Sequence, residues 1–303
     1  MVGPIPSITD RSSRRPATDP LTALRSLTPR DRWLLDLLAE HQVLTTPQLC
    51  EVAFPTLDVA QRRLLKLVRL DVLDRFRWHT LFGSQTWHYT LGWVGEQLVA
   101  AQRGIDPPRL GAHRQRISRL AASPRLGHLL GVNGLFTALA AHARTHPETS
   151  LDTWWSEARC TARWTPFVRP DGCGRWTERT RTVEFFLEYD TGSEPLGKVV
   201  GKLPGYADLD STGGTNAPAL FWLPSTRRET NLHAAIAAAH PSVVVATAST
   251  EFAQTVPGGP AGPVWLTAPG RRRRTLAELG PTMPAGNVWA SANNTAGIMA
   301  DNW

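Results

Sequence analysis

The chain has 303 residues, 42% of them hydrophobic, which is enough for two domains with their own cores and excludes a disordered polypeptide. A formal net charge of +7 points to an acidic partner, nucleic acid first, because clustered Arg and Lys displace condensed counterions from a phosphate backbone. Cys50, Cys160 and Cys173 are widely spaced and lack a CxxC pair, which excludes a disulfide framework or a zinc site, and no stretch reaches the ~20 apolar residues of a membrane span. A soluble cytoplasmic protein without a membrane partner is expected.

Residues 1–26 mix Pro, Ser, Thr and Arg without period and read as a flexible basic arm. Order is expected from Thr28, an N-cap followed by Pro29, with Trp33, Leu34, Leu37 and Leu38 on one apolar face. Thr46 and Pro47 open a second short helix. Asp58 caps a third, which turns Leu64, Leu65, Leu67 and Val68 inward and leaves Arg62, Arg63, Lys66 and Arg69 exposed. Residues 72–78 and 86–91 then read as two strands joined by a turn around Gly83 and Ser84. Three helices and a hairpin make a winged helix-turn-helix over residues 27–104. Its third helix would enter the major groove of double-stranded DNA with Arg62, Arg63, Lys66 and Arg69, and Arg75, Arg77 and His79 would lie on or near the wing. The plainer reading is a winged helix used for protein contacts, its arginines a solvated face.

Residues 92–103 read as a further helix and 105–123 as a Pro- and Arg-rich linker. A second domain over 124–253 starts with a long apolar helix, 126–143. Strands at 151–159, 164–169 and 182–190 follow, then helix 194–203, strand 219–223, helix 227–239 and strand 242–248, giving the order αβββαβαβ. Beyond 254, Pro, Gly, Asn and Ala dominate around Arg271 to Arg274, and 254–303 reads as a flexible tail.

The chemistry concentrates between residues 168 and 206. Alternation along the strand 182–190 puts Glu184, Phe186, Glu188 and Asp190 on one side. With Asp171, which follows Pro170, two carboxylates at a strand end offer hard oxygen donors for Mg²⁺, a cation that keeps open positions for a phosphate. Lys198 and Lys202 follow at a spacing of four, which places them on one helical face, and Lys66 is the only other lysine. Glu157, on the first strand, is an extra acid. Residues 192–199 nearly spell a P-loop, but Val199 lacks the hydroxyl that would bind Mg²⁺. His142 and His146 have metal-ligand spacing without the glutamate of HExxH, and the tryptophans read as packing residues. No nucleotide or organic cofactor is expected.

This element order, with Asp171 after Pro170 and the run Phe185-Phe186-Leu187-Glu188-Tyr189-Asp190, resembles the PD-(D/E)xK nuclease-like superfamily. Over about residues 27–250 the chain resembles the replication-relaxation family, in which a winged helix precedes a nuclease-like domain. The resemblance implies an α/β (α+β, two-domain) protein: a winged helix-turn-helix followed by a restriction-endonuclease-like αβββαβαβ domain. Asp171 and Glu188 match the superfamily's two metal-binding acids. The third position, a lysine in the superfamily, is Asp190 here, so Asp190 would assist the metal or water while Lys198 or Lys202 supplies the positive charge from the following helix. The resemblance further implies a plasmid or mobile-element DNA-binding protein acting in replication or transfer, a Mg²⁺-dependent deoxyribonuclease by activity, with replication or conjugation proteins as partners. The alternative is a non-catalytic winged-helix replication or transcription regulator. A third class, a protein-interaction scaffold, predicts no salt-sensitive DNA affinity.

Overall fold

Short polar side chains start the first helices of the computed structural model, which describes residues 6–8, 19–80, 83–84 and 86–280. Part of the expected basic arm is structured: it carries strand β1 (Pro6–Ile8) and, capped by Asp19, helix α1 (Pro20–Ser26), whose Ala23 is fully buried. Residues 1–5 and 9–18 lie outside the described residues. Thr28 caps α2 (Pro29–His41) in a reciprocal box with Asp31. After the short β2 (Leu44–Thr45), Thr45 caps α3 (Thr46–Ala53) and Thr56 caps α4 (Leu57–Arg69), in place of the expected Thr46 and Asp58. In each case the hydroxyl three residues before an unpaired amide takes the role, accepting from Gln48 N–H and Val59 N–H.

Strands β3 (Leu73–Thr80), β4 (Gly83–Ser84) and β5 (His88–Leu91) complete an antiparallel sheet of order β1-β3-β5-β2, with β4 on β3. Helix α5 (Trp93–Arg103) follows. The expected linker carries a further helix, α6 (Leu110–Ala121), whose Ile117 and Ala121 are buried with Val43, Phe76 and Leu126. The Arg-rich composition of this helix hid its apolar positions at 117 and 121, which face one side. The chain divides into two compact units, Met1–Thr137 and Ala138–Trp303, so the boundary falls inside α7 (Leu126–Thr145) and not in 105–123.

One buried ion pair ties the first unit together. Asp31 is fully buried, and its carboxylate accepts Arg63 Nε–H at 2.9 Å and a second guanidinium nitrogen, which also reaches the carbonyl of Ser26 at 3.2 Å. Burial alone would raise the Asp31 carboxyl, but the hydrogen bonds from Arg63 and Thr28 outweigh it and hold the group below its ordinary 3.8.

The second unit is a mixed α/β layer built on a seven-stranded sheet, in the order β12-β11-β10-β9-β8-β7-β6. Its elements are β6 (Thr149–Ser156), α8 (Glu157–Trp164), β7 (Gly172–Glu178), β8 (Arg181–Tyr189), α9 (Leu196–Val200), α10 (Leu203–Ser211), β9 (Ala219–Leu223), α11 (Thr226–Ala239), β10 (Val245–Ser249), α12 (Thr250–Ala253), β11 (Trp265–Ala268) and β12 (Arg273–Arg274). β8, β9 and β10 run parallel, and the other neighbours antiparallel.

Two expectations change here. Residues 164–169 are not a strand. Ser156 caps α8 instead, which buries Cys160 and Trp164 four residues apart, so Glu157 opens a helix. The second strand is β7, whose Gly172 and Gly174 blur the alternation although Cys173 and Trp176 are fully buried. The expected tail from 254 also folds as far as residue 280. Trp265 is fully buried, and Arg273 donates to both oxygens of buried Glu229, at 2.7 and 3.0 Å, pinning β12. Residues 281–303 lie outside the described residues. Among the described residues no helix is long and apolar enough to cross a membrane.

Asp31 is depressed in the fold, so the stabilisation it contributes is complete above its ordinary 3.8 and is lost as pH falls through its folded value. Arg63→Ala, which leaves that buried carboxylate without its guanidinium, is expected to cost about 3 kcal/mol at pH 7 and clearly less at pH 3. Urea unfolding followed by a probe in the first unit checks this, and an equal loss at both pH values would contradict it.

Candidate functional site

The pairing of β7 with β8 sets Gly172 opposite Leu187, so the residue before β7 lies at the end of β8. There Asp171 is strapped to the strand: its N–H donates to the Leu187 carbonyl at 2.9 Å, and its carboxylate accepts the Tyr189 N–H at 2.8 Å. Between those two residues Glu188 is 3% exposed and satisfies both oxygens, Oε1 accepting Tyr206 Oη–H and Oε2 accepting Lys202 Nζ–H, each at 2.5 Å. Close packing holds Tyr206 in place, since a Cβ on Gly205 would stand 2.4 Å from the Phe167 carbonyl oxygen.

The electrostatics follow from two acids sharing a dry site. Burial, and then the charge of Asp171, push the Glu188 carboxyl up to about 7 against the opposing pull of Lys202 and Tyr206. Burial lowers Lys202, but Glu188, Asp171 and Glu194 together outweigh it and raise it, so the ammonium stays protonated. Burial and then Glu188 raise the Tyr206 phenol, which stays a hydrogen-bond donor.

Of the residues expected at this site, the fold brings together Asp171, Glu188 and Lys202. Lys198 is turned to solvent, 67% exposed and paired with Glu194 at 2.6 Å. The helix expected over 194–203 breaks: α9 ends at Val200 and Lys202 lies just before α10, so the spacing of four does not hold the two lysines on one face. Asp190 is engaged elsewhere, by Gly192 N–H and Arg228 Nε–H, both at 2.6 Å. Sequence reasoning missed Tyr206 and Arg228; the spacing of four between Lys202 and Tyr206 was the available signal for the first.

Among the described residues no three His, Cys, Asp or Glu side chains gather to hold a metal ion, so the expected set of Asp171, Glu188 and Asp190 is not assembled, because Arg228 draws Asp190 away. The remaining pair offers carboxylate oxygens of the kind a hard cation takes, with Asp171 strapped beside Glu188 at the end of β8. Mg²⁺ commonly takes one or two protein carboxylates and fills its other positions with water and phosphate oxygens.

In the first unit, the residues expected at DNA divide. Lys66 and Arg69 are exposed on α4, and Arg62 is exposed beside Asp58 at 2.6 Å. Arg63 is removed from that face by its buried pair with Asp31. Arg75 and Arg77 lay their guanidinium groups over the Trp87 ring, 3.9 and 4.2 Å from its centroid.

A family model described as replication-relaxation matches residues 35–221, more than half of the chain, in line with the resemblance read from its motifs. Comparison with curated proteins and with solved structures gave no match.

The raised Glu188 carboxyl fixes a sign. Its folded value of about 7 lies above the ordinary 4.5, so ionisation is penalised in the fold: the penalty is absent below 4.5, grows as pH rises and is complete above about 7. Glu188→Gln is therefore expected to melt higher relative to wild type at pH 8 than at pH 4.5 in metal-free buffer. A pH-independent difference in melting temperature would contradict this.

Proposed function

Since the chain belongs to the replication-relaxation family, we propose that it is a DNA-binding protein of a plasmid or other mobile element that acts in replication or transfer and nicks or cleaves DNA with Mg²⁺. The observation that carries this reading is the meeting of Asp171, Glu188 and Lys202 at the end of β8. The succession α7, β6, β7, β8, α9 and α10, β9, α11, β10 supports a restriction-endonuclease-like reading, with α8 inserted between the first two strands. Asp171 and Glu188 would hold the cation, and Lys202, displaced from the superfamily's usual position, would supply the lysine.

A bound Mg²⁺ supplies Lewis-acid polarisation of a phosphate oxygen. Lys202 carries a protonated amine with three donors, of which one is engaged by Glu188; turned toward a phosphate, it offsets the negative charge that develops during displacement. Tyr206 keeps its hydrogen bond on Glu188 and so fixes the carboxylate's orientation while Lys202 moves. In the first unit, the capped helices α2, α3 and α4 followed by β3, β4 and β5 support a winged helix. The exposed Arg62, Lys66 and Arg69 of α4 make it the element expected in the major groove.

A second reading has its own support. Both Glu188 oxygens already have donors and Asp190 is tied to Arg228, as in a nuclease fold retained by a non-catalytic replication or transcription regulator.

Supercoiled plasmid incubated with protein and Mg²⁺ or Mn²⁺ separates the two. Asp171→Ala and Lys202→Met are each expected to lower nicking about 100-fold or more while DNA affinity is unchanged. Binding without cutting by the wild-type protein in either metal would favour the regulator. For the first unit, Lys66→Ala is expected to weaken duplex binding regardless of sequence and to reduce the slope of log affinity against log salt by about one. An unchanged slope would remove Lys66 from the interface.

A further inference from the structure

Asp190 stands where the PD-(D/E)xK pattern has a lysine, and its surroundings differ from those of Glu188 two residues earlier. Its Oδ1 accepts Gly192 N–H and its Oδ2 accepts Arg228 Nε–H, both at 2.6 Å. Arg228, on the first turn of α11, also donates from a second guanidinium nitrogen to the backbone carbonyl of Glu194 at 2.5 Å. One side chain thus grips both ends of the loop that leaves β8. Inside that loop Gly192 has φ +88°, a conformation that disfavours other residues, and a Cβ there would stand 3.4 Å from Pro224 and 3.7 Å from Arg228 Cδ. The pair is shielded, with side-chain exposures of 18% for Arg228 and 6% for Asp190. A lysine could not bond the carboxylate and the carbonyl with the same fixed fork. Downstream of the grip the chain runs through α9 and brings Lys202 to Glu188.

We propose that Arg228 is a positioning residue for Lys202: by clamping Asp190 and the Glu194 carbonyl, it fixes the loop whose continuation holds the Lys202 ammonium on Glu188. This rests on the reading of Lys202 as the site's positive charge, and it assigns Asp190 to the frame of the site and not to a metal. Replacement of the usual lysine by Asp190 and recruitment of Lys202 are then two parts of one rearrangement, because the acid that vacates the site anchors the loop that delivers the substitute.

The chain has three lysines, Lys66, Lys198 and Lys202, so acylation by a limiting amine-reactive ester can be read at each of them by mass spectrometry. Lys66, exposed on α4 and outside the clamped segment, serves as the internal standard, and Lys202 is held in its ion pair. Arg228→Ala and, separately, Asp190→Asn are expected to raise the ratio of Lys202 to Lys66 acylation about tenfold, the factor that accompanies loss of one charge-assisted hydrogen bond. Arg228→Lys should leave the ratio raised. A merely structural role would lower the melting temperature without selecting Lys202. An unchanged ratio in folded Arg228→Ala or Asp190→Asn overturns the proposal, and if Arg228→Ala does not fold, Arg228→Lys decides by the same ratio. The measurement does not depend on cleavage. A raised ratio in a protein that fails to cut DNA removes the nuclease reading and leaves the positioning role; an unchanged ratio in a protein that cuts removes the positioning role alone.

Discussion

A carboxylate buried next to another carboxylate is the constraint around which the second unit is arranged. Glu188 is almost wholly removed from water beside Asp171, and an isolated charge there would be prohibitively costly. The fold meets that cost with two short hydrogen bonds, from Lys202 and Tyr206, and both donors lie on one short stretch of chain. Lys202 has helical backbone angles at the start of α10 and Tyr206 follows four residues later, so both side chains lie on one face and reach the same carboxylate. α9 stops at Val200, before Lys202, which leaves Lys198 on a separate helix, and Gly205 is seated against the Phe167 carbonyl. The Glu188 carboxyl is still pushed up, first by burial and then by the charge of Asp171.

Arginine solves the same problem elsewhere. Asp31 is held by Arg63, Glu96 by Arg116 at 2.7 Å, Asp190 by Arg228 and Glu229 by Arg273. Each of these acids is buried, and in each case a planar guanidinium offers several donors to the carboxylate and its surroundings. Each such pair is neutral and leaves the net charge of +7 unchanged, but it takes an arginine out of the set that could face a polyanion. For the first unit this narrows the basic face of α4 to Arg62, Lys66 and Arg69.

Local rules carried much of the fold. Thr28 with Pro29 marked α2, and the local pattern placed strands 182–190 and 219–223 and helix 227–239 within a residue of β8, β9 and α11, because such signals depend on neighbours within a few residues. What failed depended on distant partners. β7 is a strand because β6 and β8 flank it, although its two glycines weaken the local pattern. β12 is held through Arg273 to Glu229, 44 residues away, and a run of four arginines gives no hint of which one turns inward. At the site, Asp171 and Glu188 were legible from the motif. The choice between Lys198 and Lys202 was not, because it depends on where a helix breaks, and Asp190 looked like a third member because strand alternation ends just where the loop begins.

The proposed cation site lies between Asp171 and Glu188, with Lys202 guarding it. Crystals of the protein soaked in Mn²⁺, with anomalous scattering recorded at the manganese edge, test it most directly. One strong peak is expected between the Asp171 and Glu188 carboxylates, with the Lys202 amine moved off Glu188. Density without manganese there, and with Lys202 still bonded to Glu188, would contradict it.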